Sequence, residues 1–162
     1  GGQNRQRRVV AAGPRQAALA VENTDDLPGK HAAFFEFAFG EENSPFLPEN
    51  YIENCVVYTG THDNDTFVSM LKDKEYKELV KEYLEIESDD NKEIVYTSIE
   101  KLYESVGNVV IINPQDLLLQ GNKHRFNAPG TMNGNWMYNS SKSLYSEEIS
   151  TFLSKLVEST RR

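Results

Sequence analysis

Apolar positions along this chain recur with two different periods. The run Ala32-Ala33-Phe34-Phe35-Glu36-Phe37-Ala38-Phe39 is too continuous for a half-exposed strand and predicts one covered on both faces. Cys55-Val56-Val57-Tyr58-Thr59 and Val109-Val110-Ile111-Ile112 read the same way. Between these two the period lengthens to that of a helix. Tyr76, Leu79, Val80, Tyr83 and Leu84 follow the i, i+3, i+4, i+7, i+8 spacing of one buried face. Asp90, at capping-box spacing from Glu93, opens a second helix with the stripe Ile94, Val95, Ile99, Leu102, Tyr103 and Val106. Gly107 ends it, where a left-handed residue is cheap. A short helix is expected over 116–120. Ser146 caps a last helix whose stripe is Ile149, Phe152, Leu153, Leu156 and Val157. Glu147 and Glu148 at its start and Arg161-Arg162 near its end suit the helix dipole.

Polar punctuation separates these elements. Residues 25–29 signal a turn, 40–54 form a loop with Pro45 and Pro48, and 121–143 are irregular and hold the only tryptophan, Trp136. Strand, loop, helices, strand, loop, helix is an α/β pattern. Three strands buried on both faces leave two bare sheet edges, so the chain reads as part of a larger sheet. Its 162 residues allow one domain or a piece of one.

Composition narrows the function. Twenty-five acidic against 17 basic residues give a net charge of −8. That balance argues against a duplex nucleic-acid binder, which needs cations at phosphates, and against attraction to an anionic membrane. No apolar run is long enough to span a bilayer. A single cysteine, Cys55, excludes an internal disulfide and a multi-thiolate metal site and reads as a packed thiol. Residues 1–20 run against the trend, with four arginines and no acid. We therefore set 1–26 apart as a basic segment, read as disordered or non-native, from the domain portion 27–162.

In α/β proteins ligands gather at the carboxyl ends of parallel strands. Gly60-Thr61-His62-Asp63-Asn64-Asp65-Thr66 lies at such an end. It admits a hard-metal site with too few oxygens, a His/Asp proton-transfer pair, or one carboxylate facing a cationic transition state while the others brace the loop. An Asx-rich turn using its carboxylates locally is the plain alternative. Asn113-Pro114-Gln115-Asp116 has the same placement: Gln115 has the chemistry to reach ligand hydroxyls, and Asp116 to cap the following turn. His124 to Asn127 and Gly130 to Trp136 add amides, an arginine and an indole. Such a set suits a polyhydroxylated, uncharged ligand. No phosphate loop or dinucleotide fingerprint is present, so no cofactor is expected.

The same residues carry a resemblance. Leu47-Pro48-Glu49-Asn50-Tyr51, the string NCVVYTGTHDNDT at 54–66, Pro114-Gln115-Asp116, Arg125 to Thr131 and Gly134-Asn135-Trp136 resemble the 4-alpha-glucanotransferases (amylomaltase, or disproportionating enzyme). The likeness covers roughly 27–157. It implies a (β/α)8 TIM barrel, of which 33–39, 55–59 and 108–112 resemble the last three strands, incomplete as a stand-alone barrel. It implies transfer of α-1,4-glucan segments to the 4-hydroxyl of an acceptor sugar, by a retaining double displacement.

By the resemblance, Asp63 is the aspartate that binds substrate hydroxyls and favours the oxocarbenium-like state. His62 is its sugar-binding neighbour, and Asn127 and Gln115 are substrate-side residues. The nucleophilic aspartate and the acid/base glutamate are expected upstream and have no counterpart here, so the isolated chain is expected to be inactive. The alternatives are a non-catalytic glucan-binding or partner-binding module, or one half of a split enzyme that associates through its sheet edges with a missing N-terminal portion. The expected partner is an α-1,4-glucan or maltooligosaccharide, in the cytosol or a plastid. Two departures stand out: Glu36 occupies a glutamine place, and Trp136-Met137-Tyr138-Asn139 replaces a Trp-x-Trp-Arg pattern.

Overall fold

A computed structural model describes residues 8–9, 32–39 and 44–162. The remainder of the basic segment, the 25–29 turn and His31 lie outside the described residues. Four parallel strands form one sheet in the order β1 (Arg8–Val9), β4 (Val109–Ile111), β3 (Val56–Tyr58), β2 (Ala32–Phe34). Val57 stands beside Ala33 on one side and Val110 on the other. The sequence predicts three strands; the fourth comes from within the basic segment, with Arg8 opposite Val109 and Val9 opposite Val110. Among the described residues the sheet is open and no closed barrel is seen.

Strand alternation sorts the side chains into two layers. Ala33, Val57 and Val110 face the main core, with the helices. Tyr58 and Ile111 face the other way, flanked by the partly buried Ala32, Phe34, Val56 and Val109. Both faces are therefore apolar, as expected, but only one carries the main core. The first strand is shorter than its apolar run: after Phe34 the chain turns into a 3-10 helix at Phe35–Phe37. That turn leaves Phe35 buried and Phe37 exposed.

The helices follow in order. α1 (Phe67–Met70) is a single turn that the sequence pattern does not reveal. α2 (Lys74–Leu84) is capped by Asp73, whose side chain accepts from the Tyr76 amide at 3.1 Å. Val80 and Leu84 are buried as predicted, whereas Leu79 is exposed. α3 (Asn91–Glu104) is the central helix, capped by Asp90, with Ile94, Val95, Ile99 and Leu102 fully buried. Burying each such side chain stabilises the fold by about 1.5–3 kcal/mol.

α3 stops at Glu104, so Val106 is exposed rather than part of the stripe. Gly107 does not adopt a left-handed φ. Its reason is space: a Cβ there would lie 2.5 Å from Val57 Cγ2 and 3.3 Å from Cys55 Sγ. α4 (Pro114–Leu117) starts two residues earlier than expected, because Pro114 takes the first helical turn. α5 (Glu147–Thr160) is capped by Ser146, as predicted. Its Phe152 ring stacks on Tyr96 of α3 at 4.4 Å between centroids.

The closing arginine serves a different helix from the one it follows. Arg162 donates from Nε to the Tyr103 carbonyl at 2.5 Å, from Nη1 to that of Gly107 at 2.7 Å, and from Nη2 to that of Ser105. These carbonyls belong to the last turn of α3 and the link behind it, where a helix leaves its acceptors unpaired.

Candidate functional site

The 60–66 loop leaves β3 at the carboxyl end of the sheet and meets the irregular 121–136 segment there. Two buried acids lie beneath it. Asp116 is fully buried and accepts from Thr59 Oγ1 at 2.6 Å and from the Phe67 amide at 2.9 Å. It does not cap its own turn, as the sequence suggested, but ties the end of β3 to the start of α1. Burial pushes its carboxyl up to about 6, and the bonds from Thr59, Phe67 and Asn113 oppose that rise.

Glu36 is the second. It is 2% exposed, and its carboxyl oxygens have no hydrogen bond of good geometry, only the nearby Asn64 side chain on offer. Burial raises it well above the ordinary carboxylate range, with the Asp116 charge adding to the effect. Asn113 holds the loop's first residue, its Nδ2 donating to the Gly60 carbonyl at 3.1 Å.

Asp63 projects at the tip of the loop with its side chain half exposed. Its Oδ1 accepts from Asn127 Nδ2 at 2.5 Å and lies 3.4 Å from His62 Nε2. The His62 ring rests against Trp136, 5.0 Å between centroids at 40°. Trp136 has a left-handed φ of 61° and donates its amide to the Phe126 carbonyl at 2.6 Å, which holds the indole on this face. The tryptophan is thus half exposed beside His62 rather than in the core.

Two further residues, both half-buried, organise the loop. Arg125 donates to the Asp63 carbonyl at 2.9 Å and to the Asn127 carbonyl at 2.7 Å, joining the two segments that carry the site. Asp65 accepts from the Thr66 amide at 2.8 Å and from Asn122 Nδ2 at 2.6 Å. Of the loop's two carboxylates, Asp65 braces and Asp63 stays available. The bracing of Arg125 is illegible in the sequence, since it depends on a contact 62 positions away.

Gln115 lies below this surface. It is 2% exposed, donates from Nε2 to the His124 carbonyl at 3.0 Å and leaves Oε1 unpaired. It lines a cavity of about 10 Å³ together with Thr66, Asn113 and Phe126, room for one water at most. The structure thus brings His62, Asp63 and Asn127 together and sets Gln115 beneath them. Among the described residues no group of three His, Cys, Asp or Glu side chains is placed to hold a metal.

A carboxylate, an amide, an imidazole and an indole face on one rim match alternating hydroxyls and apolar ring faces. Comparison with known proteins points the same way. A family model described as 4-alpha-glucanotransferase matches residues 20–143. A 4-alpha-glucanotransferase of Clostridium butyricum is 37% identical over 145 residues, covering 87% of this chain and 29% of the relative. A chloroplastic/amyloplastic 4-alpha-glucanotransferase of Solanum tuberosum is 38% identical over 124 residues, covering 74% of this chain and 21% of the relative.

Among solved structures, the amylomaltase from Streptococcus agalactiae in complex with acarbose superposes with a TM-score of 0.75 at 29% identity. That match covers 94% of this chain and 30% of the other. The chain belongs to the 4-alpha-glucanotransferase family and corresponds to a partial, C-terminal-like region of its full-length members.

Proposed function

We propose that this chain carries the substrate-stabilising side of a retaining α-1,4-glucan transferase site, within what is the last three strands of a (β/α)8 barrel. The observation that carries the reading is the half-exposed Asp63, held by Asn127 and His62 at the carboxyl end of the sheet. Retaining transfer requires a nucleophile and an acid/base about 5–5.5 Å apart. Asp63 fits neither role. A third carboxylate, fixed by an amide donor, accepts from sugar hydroxyls and faces positive charge developing at the anomeric carbon.

In this reading His62 and Asn127 orient the same sugar, Trp136 covers its apolar face, and Gln115 supports the floor. The glucan is uncharged, and the work belongs to the cytosol or a plastid. Nucleophile and acid/base come from parts of the family fold other than those described. The isolated chain then binds maltooligosaccharides weakly and does not transfer them. Titration of the chain with maltoheptaose, followed by ¹⁵N NMR, is expected to give saturable shifts at His62, Asp63 and the Trp136 indole, weakened in Asp63→Asn. Release of glucose from maltotriose by the purified chain, or the absence of any such shifts, would overturn the reading.

A split enzyme is the second reading. It is favoured by the open sheet, in which β2 pairs on one side only among the described strands. Co-purification with a chain carrying the other barrel strands, with transferase activity restored, is its test.

A further inference from the structure

We propose that Glu36 is a proton-dependent positioning residue: its neutral carboxyl seats the 60–66 loop, and loss of its proton unseats the loop and the His62–Asp63 face with it. The backbone of Glu36 is fixed on both sides. Its amide donates to the Thr59 carbonyl at 3.1 Å, and its own carbonyl accepts from Tyr76 Oη at 3.2 Å. The side chain therefore has one direction to go, into the angle between β3 and the loop. Its carboxyl packs on Gly60 so closely that a Cβ there would lie 2.1 Å from Cδ and Oε2.

The groups facing this carboxyl come from every neighbouring element. Asp116 approaches from α4, Asn64 and Asp65 from the loop, Arg125 from the 121–136 segment, and Tyr76 from α2. Two of these are acids. The one cation already donates to the carbonyls of Asp63 and Asn127. Asp116 receives Thr59 Oγ1 and the Phe67 amide, while the Glu36 oxygens receive nothing of good geometry. Of the two buried acids, Asp116 is thus equipped to hold the negative charge and Glu36 the proton, as expected when buried carboxyls face one another.

An ionised Glu36 would be a second buried charge with only the Asn64 side chain placed to donate to it, which is costly to hold in place. Water is reached by displacing its nearest cover, the Gly60–Asn64 turn. That turn carries no side chain at Gly60 to resist and is tied down at its start by the single bond from Asn113. Displacement shifts the Asp63 carbonyl away from Arg125 and its carboxylate away from Asn127. The movement of the loop stands on this geometry alone; its effect on a glucan rests on the function proposed above.

The test follows the ¹⁵N amides of Gly60 to Asp65 and the Glu36 carboxyl ¹³C of the full chain by NMR between pH 4 and 9, with maltoheptaose titrations at intervals. The loop amides and the Glu36 carboxyl are expected to share one midpoint above the ordinary carboxylate range. In Glu36→Gln, neutral at every pH and of the same shape, the transition shared with the Glu36 carboxyl should vanish, leaving only that of Asp116. Maltoheptaose affinity should fall about fivefold or more across it in the native chain and stay level in the variant. Loop amides that titrate identically in the variant, or a Glu36 carboxyl that titrates like an exposed one, would overturn the proposal. The carboxyl signal needs no variant and decides the matter even where Glu36→Gln does not fold. A chain that binds no maltoheptaose but shows the shared transition sinks the proposed function and leaves the Glu36 proposal standing.

Discussion

Arg162 reaches back 59 residues to donate its Nε to the Tyr103 carbonyl at 2.5 Å. With the bonds to Ser105 and Gly107 it gathers three carbonyls at the end of the central helix. The guanidinium also lies 5.8 Å from the Tyr103 ring centroid. Its planar fork suits three divergent acceptors, which an ammonium cannot match. Arg162→Ala is expected to lower unfolding free energy by about 2–3 kcal/mol in urea titrations. Arg162→Lys should recover less than half of that, and full recovery would mean that charge alone matters here.

Asn127→Ala removes the donor to Asp63 on a solvent-facing rim. Its effect should therefore appear in ligand binding rather than in stability. Maltoheptaose affinity is expected to fall about tenfold, with a stability change under about 1 kcal/mol. Equal losses in both would reassign Asn127 to the fold.

Gly107→Ala tests the close approach of the α3–β4 link to the sheet. The added methyl meets Val57, which is fully buried and cannot move freely. Urea unfolding should show a loss of about 1–3 kcal/mol. Combining it with Val57→Ala should cost less than the sum of the single changes, because the second removes the clashing methyl. Strict additivity would count against the contact.

Asp116 gives the fold a pH dependence of defined sign. Its carboxyl is raised from the ordinary 3.8 to about 6, so the folded state binds the proton more tightly than the unfolded chain. The resulting stabilisation is complete below about pH 4 and is lost as pH rises through about 6, a change of about 3 kcal/mol. Glu36 is raised as well and acts in the same direction. Urea midpoints measured from pH 4 to 7.5 should decline over that window. Asp116→Asn, neutral at every pH, should decline less. A slope unchanged in the variant would place the titrating group elsewhere.

Much of the fold is legible because local rules govern it. The caps at Asp90 and Ser146 lie where the side-chain pattern places them. The cores of β3 and β4 coincide with their apolar runs. Differences fall where a neighbour overrules local preference. Leu79 fits a helical stripe yet stays exposed among the described residues. Gly107 reads as a helix stop, but its missing side chain is demanded by Val57 across the sheet.

The order of residues alone establishes the α/β succession of elements, the position of the polar loop after β3 and the family to which the chain belongs. Each is written in short strings whose meaning does not depend on what they touch. Which carboxylate of the loop is available and which is spent emerges only on folding. Asp63 and Asp65 differ in the partners that 121–136 brings to them, Asn127 for one and Asn122 for the other. The buried space shared by Glu36 and Asp116 has the same origin, since only folding brings acids 80 positions apart together and removes the water that would otherwise keep both ionised.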